Sequence, residues 1–492
     1  MPEMSTNSSR RWLYGIGAFV VAVIVIVAAA LVVNRSSGSD IEAAEEIAAA
    51  SPVVGAVPAE GADNSAPDTD AVASALAGPA ADGALGQVTG HVTDVATGEE
   101  IWSANPDRTL VPASATKLTT ATAALLTLPV DDRVETSVLA GDEPGQVILR
   151  GGGDVTLERS KDSGFFTDAP TIEDLAGQVT EALGGQPVTS VVVDNSVREG
   201  DLFNSTWSTD DIGAGNVAPL GAVMLDAGRT DPTENYSPRS NTPAADAGHA
   251  LADALGAPDA SVSVSEDPVG SEADGDSGDE AADGDSGDEA ADALGTVYSA
   301  PLGTRLRDMM LHSDNLLAEA VGREVAAARD KPATFSGATD AILETLGEAG
   351  IDVDKAVLKD CSGMSEDNRL SARILDGVLA LAAGSPVSDD VDDVEDDDIA
   401  DRAAELRLLL DALPVAAADG TLSDRYLSGS GAESAAGRVR AKTGTLDGVN
   451  ALAGTLTTDS GRVLTFAFLS NGSDQDAGRA ALDRLAAALR KV

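Results

Sequence analysis

Three short groups of residues permit acyl-transfer chemistry: Ser114-Ala115-Thr116-Lys117, Ser313-Asp314-Asn315 and Lys442-Thr443-Gly444. On a helix, residues three apart share a face, so Lys117 can bring its amine to the hydroxyl of Ser114 and act as its base. A serine at a helix start also offers its own N–H to a developing oxyanion. A base must be neutral, which requires Lys117 to be desolvated and set near a second cation, and Lys442 is the candidate for that cation. On a strand, Lys442 and Gly444 point to one face and Thr443 to the other. Gly444 would let a substrate backbone approach closely, and the N–H of Thr445 is the natural second oxyanion donor. Ser313 would relay a proton to the leaving amine while Asn315 orients Lys117 and the substrate amide.

Each group alone is a weak signal. A chain of this length holds about one Ser-x-x-Lys by chance, Ser103-Ala104-Asn105 is a second Ser-x-Asn, and Ser, Asp and Asn before an apolar helix are also ordinary N-caps. Their order and setting give them weight together: a helix start, a loop before a helix, and a strand. Competing chemistries find less support. No Gly-x-Ser-x-Gly elbow occurs, and His312 is a chain neighbour of Ser313, which is the wrong geometry for a base. Gly151-Gly152-Gly153-Asp154 lacks the lysine and hydroxyl of a phosphate loop and reads as a tight turn. The single cysteine, Cys361, excludes an intrachain disulfide, and His91, His249 and His312 are isolated from one another, so neither a metal nor another cofactor is expected. A formal net charge of -50 excludes nucleic-acid partners.

The elements that carry these residues belong to a chain of 492 residues, more than one ordinary core. Residues 12–33 run without a charge behind Arg10 and Arg11, long enough to cross a membrane as a helix, with residues 1–11 in the cytoplasm and the rest outside. Ala28 to Ala30 offer a cleavage site, but the length of the apolar run favours a retained anchor. Residues 34–86 are Ala, Gly, Ser, Pro and acid, and are expected to form a disordered extracellular tether. Order is expected from residue 87, as a hairpin over 87–94 and on to Trp102, a helix over 113–128, strands over 134–139, 146–150 and 188–194, and a helix over 171–183. Acidic stretches at 265–292 and 388–401 read as solvated loops; within the first, residues 274–282 recur at once as 283–291. Helices are expected over 301–327, 338–350 and 372–383, strands over 438–443, 449–458 and 462–471, and a closing amphipathic helix over 477–491. The pattern predicts one sheet assembled from both ends of the chain. The catalytic domain would be split over 87–145 and 296–492, around an inserted domain over 146–264.

At these residues the sequence resembles the D-alanyl-D-alanine carboxypeptidases of the low-molecular-mass class C penicillin-binding proteins. The three groups match the S-x-x-K, S-D-N and K-T-G set. The likeness continues through Gly151-Gly152-Gly153-Asp154-Val155-Thr156-Leu157, similar to G-G-G-D-P-x-L, and Asp360-Cys361-Ser362-Gly363-Met364-Ser365, similar to D-G-S-G-L-S. It extends to Asp367, Asn368, Arg369, Leu370 and Ser371, to Leu413-Pro414, and to Asp419-Gly420-Thr421-Leu422 with Arg425.

The resemblance implies an α+β penicilloyl-serine transferase fold, an antiparallel sheet of five strands flanked by helices, with a second domain inserted between the first two motifs. It implies DD-carboxypeptidase and often DD-endopeptidase activity on peptidoglycan stem peptides, and binding of β-lactam antibiotics. Ser114 would be the acylated nucleophile and Lys117 its proton acceptor, with Ser313 and Asn315 completing the proton network and Lys442 and Thr443 holding the terminal carboxylate. Cys361 departs from the family's glycine and is expected to be a small buried thiol. The interval from Lys117 to Ser313 is short for a third domain. A serine β-lactamase shares the three motifs but needs a dedicated carboxylate for deacylation and a much shorter interval. A non-catalytic penicillin-recognising wall protein would be expected to carry a broken motif. The expected location is the cell membrane, crossed once, with the catalytic region facing the wall.

Overall fold

The computed structural model describes residues 67–270, 293–385 and 396–492. Its first element is helix α1 (Thr69–Ala80), capped by the Asp68 side chain, followed by a 3-10 turn at Gly83–Leu85 capped by Asp82. Val72, Leu76 and Leu85 are fully buried, and Asp82 pairs with Arg484 at 2.7 Å. The tether expected up to residue 86 is therefore corrected: its last part folds. Averaged composition conceals two apolar residues four apart, which is enough to give a short helix one buried stripe.

Two strands follow, β1 (Gln87–Asp94) and β2 (Glu100–Ala104). After a 3-10 turn at Ala113–Thr116 comes α2 (Lys117–Thr127), buried on every face through Leu125. The chain then leaves through β3 (Glu135–Ala140), β4 (Gln146–Gly151), β5 (Asp154–Leu157), α3 (Ile172–Leu183), β6 (Ser190–Asp194), β7 (Val223–Leu225), α4 (Pro243–Ala254), β8 (Ser261–Ser265) and β9 (Gly295–Tyr298). It returns through α5 (Leu302–His312), α6 (Asn315–Ala328), α7 (Phe335–Glu348), α8 (Ala372–Ala382) and α9 (Asp396–Asp411), and ends on β10 (Val439–Leu446), β11 (Val449–Thr457), β12 (Val463–Asn471) and α10 (Gln475–Leu489).

The strands from the two chain ends form one antiparallel sheet in the order β10-β11-β12-β1-β2. Alternation along its inner strands builds a core on each face. Ala451, Ala453, Ala467 and Leu469 join the helical lobe; Leu452, Leu456, Phe466 and Phe468 pack with Leu482 and Leu485 of α10 and with Val72 and Leu76 of α1.

The inserted part has its own core and a second sheet in the order β8-β6-β4-β3-β9. Because β3 pairs with both β4 and β9, the insertion runs from β3 to β9, which corrects the boundaries of 146 and 264. A local pattern shows that a strand exists, not which strand it pairs with.

Two further expectations change. The helix over 301–327 is two helices broken at Ser313, whose φ is 58°. The acidic loop over 388–401 is helical from Asp396, where α9 begins; its later residues Leu406 and Leu409 sit in the core. The other acidic stretch is anchored where it starts, since Val269 N–H donates to Asp194 Oδ2 (3.2 Å) and its carbonyl accepts from Arg150 Nη2 (2.8 Å); residues 271–292 lie outside the described residues. No helix among the described residues is long and apolar enough to cross a membrane, and the span expected at 12–33 lies outside them.

Candidate active site

The nucleophile candidate sits on a turn held between Asn471 and strand β10. The Val111 N–H donates to Asn471 Oδ1 (2.9 Å) and the Val111 carbonyl accepts from Asn471 Nδ2 (3.1 Å), so the last residue of β12 fixes the approach to the turn as a strand partner would. Ala113 then takes a φ of 48°, uncommon for a residue with a side chain, and Ser114 follows in the 3-10 turn. Gly444 on β10 lies against this turn: a Cβ there would stand 2.6 Å from the Pro112 carbonyl oxygen and 3.1 Å from Ala115 N. The expectation that Gly444 makes room for substrate is corrected. It makes room for the turn that carries Ser114.

Lys117 is fully buried at the start of α2. Its Nζ donates to Ser114 Oγ (3.1 Å), Asn315 Oδ1 (2.7 Å) and the Ser362 carbonyl (2.7 Å). Two of these partners are carbonyl oxygens and can only accept. In the neutral amine they take both hydrogens, and the lone pair is left facing Ser114, the one partner with a proton to give. Burial lowers Lys117 to about 8, against the upward pull of Asp314, Asp360 and Glu319.

The second group is placed by the break between α5 and α6. Ser313 adopts the left-handed conformation at the end of α5, and Asp314 caps α6 by accepting from Leu317 N–H (2.8 Å). The other Asp314 oxygen accepts from Arg229 (2.9 Å) and Arg239 (3.1 Å), and these guanidiniums hold its carboxyl well below the usual range despite burial. With its middle residue fixed, the motif turns Ser313 to one side and Asn315 to the other. The Asn315 amide donates to the Asn216 carbonyl (3.0 Å), which orients its oxygen toward Lys117.

The third group lies on β10. Lys442 is fully buried, and its Nζ donates to Ser313 Oγ (2.9 Å) and the Thr443 carbonyl (2.8 Å). Burial, and after it the charge of Lys117, push Lys442 well below the ordinary lysine range. The expected relation is thus altered: desolvation depresses Lys117, and the lysine repulsion is expressed at Lys442. Thr443 Oγ1 is 2.8 Å from Thr421 Oγ1, and Thr445 Oγ1 accepts from Arg479 Nε of α10 (3.4 Å).

The outer edge of β10 is covered only in part. Ala441 N–H donates to the Pro414 carbonyl and Ala416 N–H to the Val439 carbonyl, both at 2.9 Å. By the alternation of an antiparallel ladder, the Thr443 and Thr445 N–H groups face the same edge beyond this cover. An extended peptide therefore has a strand edge to pair with beside Ser114.

All eight predicted site residues, Ser114, Lys117, Ser313, Asn315, Lys442, Thr443, Gly444 and Thr445, thus stand in one connected arrangement. Sequence reasoning missed Asn471, Arg479 and Glu319. Of these, only Glu319 left a trace, as an acid one turn after Asn315 and one turn before Arg323 on the same helix face. Cys361 is fully buried and its thiol is pushed up by burial; it fits because residue 322, facing it on α6, is glycine. A cavity of about 520 Å³ lined by Arg159, Asp226, Arg229 and His249 contains none of the eight, and no group of His, Cys, Asp or Glu among the described residues is arranged to hold a metal.

The chain matches the model of the D-Ala-D-Ala carboxypeptidase 3 (S13) family over residues 72–250 and 233–492. It is 43% identical over 495 residues to carboxypeptidase DacB of Mycolicibacterium smegmatis, covering 99% of this chain and 98% of that one. It is 28% identical over 493 residues to a D-alanyl-D-alanine carboxypeptidase of Actinomadura sp., covering 86% and 84%. Among solved structures it is similar to penicillin binding protein 4 (dacB) from Haemophilus influenzae, with a TM-score of 0.63 at 21% identity over 86% of this chain and 100% of that one. That likeness shows the shared fold.

Proposed function

This chain belongs to the D-Ala-D-Ala carboxypeptidase 3 (S13) family and is a peptidase hydrolase, and we propose that it removes the terminal D-alanine of peptidoglycan stem peptides through an acyl-serine intermediate on Ser114. The observation that carries the proposal is the partner set of Lys117: two obligate acceptors and one hydroxyl. Neutral Lys117 takes the Ser114 proton as Oγ attacks the carbonyl of the penultimate residue. The oxyanion forms between the N–H groups of Ser114 and Thr445. A proton reaches the departing D-alanine amine from Ser313, replenished by its neighbour Lys442, and water then releases the acyl group. Lys442, Thr443 and Thr445 receive the terminal carboxylate, and Arg479, held against Thr445, adds a second cation at that end.

Penicillin, which also presents an acylating carbonyl and a carboxylate, would be trapped at the same serine. Cleavage of cross-links is the same acyl transfer with a larger leaving amine, and the partly uncovered edge of β10 supports it. The uncharged run at 12–33 supports a membrane-anchored, wall-facing location.

The test is to incubate the full-length protein with a peptide ending in D-Ala-D-Ala and with labelled penicillin. Free D-alanine and a label on the peptide containing Ser114 are expected. Ser114→Ala should abolish labelling and lower D-alanine release by at least about a thousandfold while leaving the melting temperature unchanged. Label on another residue, or persisting in Ser114→Ala, rejects the mechanism.

A further inference from the structure

The loop carrying Ser362 is pinned by two buried carboxylates. Asp360 accepts from the Gly363 N–H (2.9 Å), the Ser365 N–H (2.6 Å), Asn368 Nδ2 (2.7 Å) and Trp207 Nε1 (2.8 Å). Glu319, fully buried on α6 one turn beyond Asn315, takes the two N–H groups between: its Oε1 accepts from Cys361 (3.0 Å) and Ser362 (2.9 Å). Thr120, one turn beyond Lys117 on α2, donates to the Cys361 carbonyl (2.6 Å), and Lys117 donates to the Ser362 carbonyl (2.7 Å). Every backbone polar group from the Cys361 N–H to the Gly363 N–H thus has its partner. The carbonyl that holds Lys117 belongs to a residue whose own N–H ends on a carboxylate.

We infer that Glu319 is a positioning residue for Lys117, holding the lysine through the Cys361–Ser362 backbone and acting on its proton through its own charge. The inference rests on the reading of Lys117 as the base. Helix caps and loop tethers need only a neutral acceptor, and a glutamine or a water would serve. A buried acid is costly unless it is compensated, and the cation on its own helix is Arg323, with Asp360, the Ser362 hydroxyl and the Cys361 thiol facing it from the loop. The groups that face Lys117 are Glu319 and Asp314 from α6, Asp360 from the loop and Lys442 from β10. Burial and Asp360 push Glu319 up to about 7, so it gains its charge just below the pH at which Lys117 gives up its proton. That charge favours the ammonium, keeping Lys117 the stronger base while it waits for substrate.

Glutamine separates geometry from charge here. Because Oε1 accepts both N–H groups, the Glu319→Gln side-chain oxygen can keep both bonds; what is lost is the charge and the longer second contact of the Cys361 N–H with Oε2 (3.2 Å). The experiment is the pH profile of kcat/KM for D-alanine release by the full-length protein, native and variant. With the anion removed, Lys117 is neutral at lower pH, so the acid limb of Glu319→Gln should move down by roughly one pH unit. Glu319→Asp keeps the charge but withdraws the carboxylate; its limb should stay within about 0.3 of the native one while its rate falls several-fold. This second variant keeps the test decisive should glutamine impair folding. Activity surviving in Lys117→Ala overturns the reading of Lys117 as base, and the inference with it. An unmoved limb in Glu319→Gln, with Lys117→Ala inactive, overturns the inference about Glu319 alone, as does an aspartate limb displaced as far as the glutamine one.

Discussion

Two buried lysines near one binding site make substrate capture a proton-transfer event that calorimetry can count. In the free protein burial and the charge of Lys117 hold Lys442 well below the lysine range, while burial lowers Lys117 to about 8. A substrate carboxylate about 3 Å from Lys442 Nζ is worth roughly 5 kcal/mol at an effective dielectric of about 20, or about four pH units in favour of its ammonium form. The new ammonium then repels the one on Lys117, which gives up its proton. Proton release by Lys117 offsets uptake at Lys442 less and less as Lys117 is already neutral beforehand, so net uptake rises as pH rises through about 8. The assay is titration of full-length Ser114→Ala with a peptide ending in D-Ala-D-Ala, in buffers of different ionisation heat at each pH. The slope of observed enthalpy against ionisation heat gives the protons taken up. Uptake should rise with pH, and it should vanish in Lys442→Ala and with an amidated peptide. Uptake that falls with pH, or that survives Lys442→Ala, refutes the reasoning.

Gly444→Ala would drive a Cβ to within 2.6 Å of the Pro112 carbonyl oxygen, a backbone atom in a turn already pinned by Asn471; relief by shifting β10 should cost about 1–3 kcal/mol of stability and about a hundredfold in kcat/KM. Retained activity together with a retained melting temperature would show that the contact is loose. A chain beginning at residue 67 should match the full-length protein in melting temperature, whereas one beginning at residue 86 loses the cover that Val72, Leu76 and Leu85 provide. Each such side chain contributes about 1.5–3 kcal/mol on burial, partly offset by the chain entropy released, so the shorter chain should melt several degrees lower. Equal melting of the two chains rejects the role given to α1.

Sequence periodicity served well where burial is local. Strands β1, β10, β11 and β12 and helices α2, α8 and α10 fall close to their expected places, because each alternates or repeats against a single core. It failed where structure depends on a distant partner. Residues 69–80 looked like tether because the surface they cover, on α10, lies some four hundred residues away, as the Arg484–Asp82 pair shows with its separation of 402. Strand β3 read correctly as a strand but was assigned to the wrong domain, and the short strand β9 was not read at all, since their pairing carries no local mark.

The site divides along the same line. Ser114 and Lys117 were legible because a helix brings residues three apart together, and the other two motifs because they are contiguous. What makes these residues competent is supplied from afar: the Ser362 carbonyl meets Lys117 across 245 residues, and Asn471 meets Val111 across 360. Both act through backbone groups, which have the same chemistry in every residue and so leave no signature in composition or spacing. Glu319 belongs to this class too, since its hydrogen-bonded route to Lys117 runs through a peptide unit. A motif search therefore finds the candidate reacting groups and overlooks most of those that fix the proposed base and the turn of the proposed nucleophile. The latter have to be sought as buried polar side chains whose partners are main-chain atoms.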